Sequence, residues 1–491
     1  MPHQPSGLRP ADPLPPVAEA FTEVLSTVVA EADQFYRTLP GRPAGTRHRL
    51  TALSMAEEGE GAPASIREAV ARFDPLIVAS PSSRYLGYVT GGSTPAALAG
   101  DWLAAVYDQN PQGTGAFGDA SAQIEQEAIA LLRETLGLPN VFVGGFVTGA
   151  TLSNFTCLAV ARQWAGEQQQ LDVGAQGTAL LRLRILSAVP HSSATKALSM
   201  LGLGSGSVQS VATLPDREAM DVRDLERRLA DDPAIPTVII ASAATVNTAD
   251  FDDLAAIQRL RARYRFWLHV DAAFGGFAAL LPTEADPCPA DYPGGRLRGW
   301  EGADSITVDN HKWLNVPYDS GTWFIRAEHD DLQHAAFRNG SAPYLGAEAG
   351  TFSYLNRGPE NSRRLRALPV WCTLRAYGIT GYRDIVGRCV RTAVALGAWI
   401  ADHPRLTLLA PVRLNVVAFT ITGADRESLR RYLQLLSDRG RFFLTPTTLY
   451  GRAGMRAAFV NWQTEPEDAA ALTQELATCL ELLDATAPAP R

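Results

Sequence analysis

Hydrophobic runs of strand length alternate with helix-like stretches between residues 141 and 326, and this alternation constrains the fold of the chain most strongly. The runs that we predict as strands are 141–147, 184–188, 237–245, 305–308 and 321–326. Strands joined by helices form mostly parallel sheets, and such sheets bind ligands beyond the carboxyl ends of their strands. The sequence therefore predicts an α/β domain whose site lies along one edge of a sheet.

Lys312 lies just beyond one of these predicted strands, between a polar turn at 309–311 and an apolar continuation at 313–318. Partial desolvation lowers the pKa of such a lysine and frees its amine to attack a carbonyl group. A lysine in this position can also lay its stem on apolar surface and keep its charge in water. The residues around Lys312 do not decide between these two interpretations.

Asp271 ends another hydrophobic strand 41 residues before Lys312, and two alanines and two glycines follow it within five positions. A carboxylate at the end of a buried strand is unfavourable unless it has a cationic partner. The pyridinium nitrogen of pyridoxal 5'-phosphate (PLP) is such a partner, and the small neighbours leave room for its flat ring. Asp271 could instead be an ordinary acid at a turn or helix cap. The strand-helix-strand spacing between Asp271 and Lys312 favours a PLP site.

Two motifs, His269-Val270-Asp271-Ala272-Ala273 and Asn310-His311-Lys312-Trp313, resemble the group II PLP-dependent amino-acid decarboxylases, the family of DOPA and glutamate decarboxylases. The resemblance extends from about residue 35 to 464. It implies the fold type I PLP-dependent transferase fold, in which the large domain contains a mostly parallel seven-stranded sheet. An N-terminal helical segment and a small C-terminal α+β domain complete that fold.

The resemblance also implies how the chain is divided and how it assembles. We expect an N-terminal helical dimerisation segment at 1–95, a PLP-binding domain at 96–375 and an α+β domain at 376–491. The apolar spacing at 17–39 predicts an amphipathic helix, which in this family packs across a partner subunit. A homodimer with active sites at the subunit interface follows, and segment 109–119 is expected at the mouth of the neighbouring site.

The resemblance assigns four candidate catalytic residues. Lys312 forms the Schiff base, Asp271 keeps the pyridinium protonated, and His191 of a His-Ser-Ser motif stacks on the PLP ring opposite the small side chain of Ala273. Tyr344 matches a mobile-loop tyrosine that protonates the substrate carbon after CO2 leaves. A histidine after a strand is more often an ordinary hydrogen-bonded residue, and Tyr344 could be an ordinary loop tyrosine.

Gly149, Ala150 and Thr151 open a predicted helix after strand 141–147. Helix N-termini attract anions, although Thr and Ser cap helices in many proteins without binding one. The resemblance implies that this segment forms the cradle for the PLP phosphate.

Thr245 and His311 match two further cofactor contacts of the family. Asp309 stands where well-known members carry an asparagine near the phosphate. An acid there would repel the phosphate unless it turns away or pairs with a base, so we do not assign Asp309 as a phosphate ligand. Asp250 and Asp252 are expected to cap the next helix, 253–263.

Tyr88, Val89, Thr90 and Gly91 match the family segment that lines the substrate pocket. Aromatic-specific members carry a bulky aromatic-proline pair where this chain has valine, threonine and glycine. This departure points away from a large aromatic substrate. A glycine-rich turn before a helix explains the same residues equally well.

Composition excludes several other classes of protein. The net charge of −8 and the lack of a basic stripe argue against a nucleic-acid partner. No apolar run reaches the roughly 18 to 20 residues of a membrane span, and residues 1–17 lack the pattern of a signal peptide. A cytoplasmic protein is therefore expected. Five scattered cysteines show no metal-binding spacing, so we expect neither a metal site nor a disulfide framework.

The expected reaction is decarboxylation of an L-amino acid, or of an amino-acid-like metabolite, to an amine and CO2. An aminotransferase or a decarboxylative aldehyde-forming oxidase on the same fold remains an alternative, although Tyr344 in place of phenylalanine speaks against the aldehyde route. A non-catalytic PLP-fold binding protein is a third possibility, disfavoured because Lys312, Asp271 and His191 occur together. Arg456 stands where PLP enzymes of this fold often bind a carboxylate. The sequence does not name the substrate.

Overall fold

The computed structural model describes residues 17–45, 50–113, 120–282, 287–292, 295–339 and 352–485. The short apolar runs of the sequence form a seven-stranded sheet, whose strands are β1 (Phe142–Val147), β2 (Arg184–Ser187), β3 (Val208–Ser210), β4 (Thr237–Ser242), β5 (Trp267–Asp271), β6 (Ser305–Val308) and β7 (Gly321–Arg326). Their order is β1-β7-β6-β5-β4-β2-β3. Strand β7 is antiparallel to both neighbours, and the other pairs are parallel. The predicted fold class is confirmed.

Helices cover both faces of this sheet, which is why its central strands are buried throughout. The helices are α1 (Val17–Thr38), α2 (Ala62–Phe73), α3 (Pro95–Tyr107), α4 (Ser121–Thr135), α5 (Ala150–Glu167), α6 (Val173–Gln176), α7 (Ser192–Met200), α8 (Val222–Asp231), α9 (Leu254–Arg259), α10 (Asn310–Trp313), α11 (Asp330–Phe337), α12 (Ala367–Asp402), α13 (Arg426–Arg439) and α14 (Pro466–Ala485). None of these described helices combines the length and apolar character needed to cross a membrane.

The alternation of side chains along β5 divides its residues between the two faces of the sheet. Leu268 and Val270 pack in the core on one face, whereas Trp267 packs on the other face with residues of α5 and α7. Because the strand period is two, His269 and Asp271 share the face of Trp267. The end of β5 therefore presents a histidine and an aspartate toward α5.

A second sheet of four antiparallel strands lies in the C-terminal part of the chain. Its strands are β8 (Leu406–Leu408), β9 (Val416–Ile421), β10 (Thr445–Leu449) and β11 (Arg452–Ala458), in the order β10-β11-β9-β8. The segment before α3 joins this sheet, since Leu86 N–H donates to the Phe443 carbonyl and Ala458 N–H donates to the Leu86 carbonyl. The substrate segment predicted at 88–91 follows directly from this joint.

Several local predictions differ from the structure. The polar turn predicted at 309–311 belongs instead to the one-turn helix α10 and to Asp309, its N-cap residue. Helix α12 is interrupted by a kink at Gly378, whose backbone is not helical (φ 60°, ψ −175°). Asp253 rather than Asp250 or Asp252 caps α9, accepting a hydrogen bond from Ala256 N–H at 2.8 Å. Asp250 is held by Arg217 and Tyr292, which occupy its carboxylate.

Candidate active site

The turn after β6 directs Lys312 into a cleft at the carboxyl ends of the strands. The N–H groups of Asn310 and His311 donate to the Ser320 carbonyl at 3.0 and 3.1 Å, which fixes α10 against the chain leading into β7. The Lys312 ammonium lies 3.1 Å from Asp309 Oδ2, and its side chain is 16% exposed. The lysine head is therefore largely enclosed and ion-paired rather than free in water.

Asp309 is the counter-ion of Lys312, contacts the His311 ring and is only 3% exposed. Its Oδ1 atom lies 3.2 Å from His311 Nε2, while Ser320 N–H donates to His311 Nδ1 at 3.2 Å. Burial alone would raise the pKa of Asp309, but the adjacent Lys312 and His311 outweigh burial and hold this pKa below its usual value. Asp309 thus pairs with bases, which is one of the two conditions under which an acid is tolerated near the phosphate.

The N-terminus of α5, which follows β1 in the chain, lies beside Asp309 and His311. No acceptor among the described residues takes the N–H groups of Ala150 and Thr151, which are free to face an anion. A Cβ atom on Gly149 would lie 2.9 Å from His311 Cε1, so only glycine lets the two segments approach this closely. The geometry suits a phosphate cradle formed by the backbone N–H groups at the start of α5, with His311 beside it and its two ring nitrogens held by Ser320 and Asp309.

Asp271 is buried at the end of β5. Its Oδ1 accepts from Ala273 N–H at 3.2 Å and its Oδ2 from Asn154 Nδ2 at 3.1 Å. No lysine or arginine in the described part of the chain forms an ion pair with Asp271. A buried carboxylate without a cationic partner fits the pyridinium nitrogen of PLP.

His191 caps α7 and borders the same cleft. Its ring is open to solvent, yet surrounding protein desolvates it enough to lower its pKa, an effect that Lys312 reinforces and Asp271 opposes. The charges of Arg456 and Asp309 also act on this ring. The structure therefore brings His191, Asp271 and Lys312 together, as the sequence predicted from separate strand ends.

Other predicted site residues have roles that the sequence did not indicate. The Thr245 hydroxyl donates to Glu218 at 2.6 Å and accepts from Asp250 N–H at 3.1 Å, so it is occupied by protein partners. Arg456 Nη1 donates to the Val246 carbonyl. Tyr344 lies outside the described residues, as do residues 114–119 of the predicted segment at the site mouth.

The predicted substrate segment passes directly behind the lysine. A Cβ atom on Gly91 would lie 1.8 Å from the Lys312 carbonyl oxygen, and the Gly91 carbonyl accepts from Asn315 Nδ2 at 2.8 Å. Tyr88 and Val89 have φ values of 61° and 67°, which are strained for such residues and typical of functional sites. The Val89 side chain packs in the core, and Thr90 Oγ1 lies 3.4 Å from the Tyr318 hydroxyl.

An aromatic cluster near this segment was not predicted. The Tyr85 ring stacks on Phe443 with centroids 4.7 Å apart, Tyr88 packs on the same ring at 5.8 Å, and Tyr318 packs on His311 at 4.3 Å. No local pattern links Tyr85 with Phe443, because the contact depends on how the segment before α3 pairs with the C-terminal sheet.

Comparison with known proteins agrees with this geometry. The family described as the pyridoxal-dependent decarboxylase conserved domain matches residues 47–422. Aromatic-L-amino-acid decarboxylase of Bacillus atrophaeus is 27% identical over 397 residues, covering 78% of each chain. L-2,4-diaminobutyrate decarboxylase of Rhizobium meliloti (strain 1021) is 28% identical over 373 residues, covering 74% of this chain and 69% of that protein.

A solved structure supports the fold. The crystal structure of Oryza sativa TDC with PLP and tryptamine superposes with a TM-score of 0.83 at 21% identity, covering 97% of this chain and 100% of that one. The predicted resemblance and the predicted cofactor are confirmed, since the matched family spans most of the chain and is pyridoxal-dependent. The chain belongs to the pyridoxal-dependent decarboxylase family, whose members are PLP enzymes.

Proposed function

We propose that this protein decarboxylates an L-amino acid, or an amino-acid-like metabolite, to the corresponding amine. The observation that carries the proposal is the meeting of an enclosed lysine, a buried carboxylate without a cation and a histidine ring in one cleft. When bound, PLP supplies an electron sink for the electron pair that remains on the substrate carbon as CO2 departs.

Each residue has a distinct proposed task in this reaction. Lys312 would hold the cofactor through its amine and would give up that place to the substrate amine. Asp271 would hold a proton at the pyridine nitrogen, and His191 and Ala273 would hold the ring between them. Tyr344, on the segment outside the described residues, is proposed to donate the proton to the substrate carbon.

The remaining contacts hold the cofactor and the substrate. Gly149, Ala150 and Thr151 at the start of α5 are proposed to bind the phosphate together with His311. Thr245 is proposed to contact the cofactor through atoms other than its occupied hydroxyl. Tyr88, Val89, Thr90 and Gly91 are proposed to shape the substrate pocket, and the lack of the bulky aromatic-proline pair of aromatic-specific members favours a substrate other than a large aromatic amino acid.

Carbon dioxide release from PLP-loaded protein tests this function. The substrates are the twenty amino acids with ornithine and diaminobutyrate, and both amine and carbonyl products are quantified. Equimolar CO2 and amine from one substrate would establish the reaction and name its substrate. Keto acid without CO2 would identify an aminotransferase, and CO2 with an aldehyde would identify the oxidative alternative.

Replacement of Tyr344 by phenylalanine separates the decarboxylase from the aldehyde route. We expect amine formation to fall about 10²-fold, because loss of a positioned proton donor has this size of effect. In air-saturated buffer, CO2 release with a carbonyl product should then become the main outcome, because O2 serves as the oxidant of the carbon that is no longer protonated. The matched control is Tyr318→Phe, which removes another hydroxyl near the cleft and should leave the product unchanged. Unchanged amine formation in Tyr344→Phe would exclude this tyrosine as the donor.

Asp309 is proposed to oppose the cofactor phosphate, and its replacement by asparagine should reveal this. The ion pair with Lys312 offsets only part of the repulsion between this carboxylate and a phosphate. We therefore expect the PLP dissociation constant of the apoprotein to fall about tenfold at pH 8, which corresponds to a remaining repulsion of about 1 kcal/mol. Absorbance titration measures the change. Asp319→Asn is the control, because Asp319 is an acid of the same segment that pairs with Arg366 instead. Weaker or unchanged PLP binding in Asp309→Asn contradicts the assignment.

We further propose a homodimer whose sites lie at the subunit interface, with segment 1–95 as its dimerisation part beside domains 96–375 and 376–491. Phe21, Leu25 and Val29 form an exposed apolar stripe at four-residue spacing along α1. A groove of about 460 Å³ between α1, α2 and α3 is lined by further apolar side chains, including Phe35 and Trp102. A second copy of the chain would cover this surface.

The double variant Leu25→Asp/Val29→Asp should be monomeric at concentrations where the parent protein is a dimer. Charged groups on the stripe would have to be desolvated at the interface, which disfavours association. Sedimentation velocity measures the two states, and Glu23→Gln on the same helix serves as the control. A monomeric parent protein would contradict the proposal.

We also propose a cytoplasmic location, supported by the five cysteines, none of which forms a disulfide in the described structure.

A further inference from the structure

A continuous row of buried hydrogen bonds runs beneath the cleft from β5 to His191. Trp267 Nε1 lies 2.9 Å from Ser305 Oγ, which lies 2.9 Å from His269 Nδ1. His269 Nε2 lies 2.8 Å from Asn154 Oδ1. Trp267, Ser305, His269 and Asn154 are fully buried, so solvent does not share these bonds.

The row branches at Asn154. Its Nδ2 atom lies 3.1 Å from Asp271 Oδ2 and 3.0 Å from Ser193 Oγ. Ser193 Oγ in turn lies 2.7 Å from His191 Nδ1, and Ser193 N–H donates to the same nitrogen at 3.2 Å. One amide therefore connects the buried acid with the histidine ring that borders the cleft.

The two ends of the row determine where every proton lies. The Trp267 indole can only donate and the Asp271 carboxylate can only accept. Ser305 accepts from Trp267 and so has its own proton available for His269 Nδ1. If the Asn154 amide were turned over, its oxygen would face the Asp271 carboxylate, and two acceptors would repel. The amide therefore has Nδ2 toward Asp271 and Oδ1 toward His269.

His269 is neutral in this arrangement. Its complete burial lowers its pKa to about 4, and neither ring nitrogen contacts a carboxylate. With Nδ1 accepting from Ser305, the single ring proton of His269 lies on Nε2 and is donated to Asn154. Asn154 then has both Nδ2 protons to give, one to Asp271 and one to Ser193.

The same donor-to-acceptor direction continues from Asn154 through Ser193 to His191. Ser193 Oγ accepts from Asn154, so its hydroxyl proton is donated to His191 Nδ1, beside the backbone N–H of Ser193. Two donors on Nδ1 exclude a proton there. The ring is left with its proton on Nε2 and without a positive charge.

We propose that this donor chain holds His191 as the neutral Nε2–H tautomer, and that His269, Asn154 and Ser193 are positioning residues for both His191 and Asp271. A neutral ring does not compete electrostatically with a protonated pyridine held by Asp271, whereas an imidazolium would. With its Nδ1 lone pair occupied, His191 also cannot act as a base through that atom. This arrangement belongs to the protein itself and holds whether or not decarboxylation is the reaction.

Nitrogen NMR of cofactor-free protein carrying 15N-labelled histidine tests the proposal directly. At pH 7.5 we expect the His191 and His269 rings to be neutral and protonated on Nε2, with signals assigned through His191→Gln and His269→Gln. A proton on Nδ1 of His191, or an imidazolium at this pH, would overturn the proposal. This measurement is made on the parent protein, and the variants serve only to assign the signals.

Ser193→Ala supplies the second measurement. We expect a mixture of His191 tautomers and a higher His191 pKa, because a hydrogen bond to the neutral ring is lost. The charged groups that face this ring, Asp271, Lys312, Asp309 and Arg456, are unchanged in the variant. Ser193→Thr keeps the hydroxyl and should restore the tautomer, and Ser192→Ala, at an exposed serine on the same turn, should change neither quantity. An unaltered His191 tautomer and pKa in Ser193→Ala would also overturn the proposal.

Discussion

Lys312→Ala should lower turnover by at least about 10³-fold, comparable to the loss of other catalytic nucleophiles. The variant should also lose covalent attachment of the cofactor, because no other amine occupies the cleft among the described residues. Asp309 would lose its ammonium partner at 3.1 Å and keep only His311. We therefore expect a decrease in the free energy of unfolding of about 1–3 kcal/mol at neutral pH.

The composition of the chain makes this prediction unusually easy to check. Lys196 and Lys312 are the only two lysines in the sequence, which has 44 Lys and Arg residues together. Borohydride reduction of the PLP-loaded protein followed by peptide mass spectrometry should place the pyridoxyl group on Lys312. Lys196→Ala is the matched control, since Lys196 is exposed on α7 and should affect neither labelling nor turnover. Labelling of Lys196 in place of Lys312 would contradict the proposed site.

The fold was predictable from sequence where apolar runs end in polar residues. The run before Asp271 and the run before Asp309 become β5 and β6, which pair in parallel with Asp271 opposite Thr307. Because parallel strands end at one edge, the meeting of Asp271 and Lys312 follows from this pattern alone. Strand β10 was missed, since Thr445–Leu449 is a half-exposed strand rich in threonine that carries a proline.

Parts of the site depend on contacts that no local pattern encodes. Asn154, Ser193 and His269 come from α5, α7 and β5, and their hydrogen bonds exist only because the helices pack on one face of the sheet. Strand periodicity indicates which face of β5 carries His269, but it does not indicate that Asn154 on α5 is the hydrogen-bond partner of His269. Likewise, the ion pair of Asp309 with Lys312 depends on α10, which the sequence suggested as a turn.

Asp271→Asn should lower turnover by about 10³-fold while leaving the cofactor attached to Lys312. Asparagine cannot hold a proton on the pyridine nitrogen as a carboxylate does, so stabilisation of the charge left by CO2 is lost, an effect of this order for a preorganised electrostatic group. The pH dependence of the cofactor absorption band should shift with it. This combination of retained labelling and lost turnover distinguishes the role of Asp271 from that of Lys312.

A matched control is available in the segment between β4 and α9. Asp252 is also buried and accepts from Ser242 N–H and Met220 N–H at 2.7 Å, but it lies outside the cleft contacts. Asp252→Asn should affect stability without changing the cofactor spectrum. Since Asn154 Nδ2 donates to Asp271, the asparagine in Asp271→Asn must present its oxygen to Asn154 or lose that bond. Turnover of Asp271→Asn within about tenfold of the parent protein would mean that the pyridine proton is held by another group.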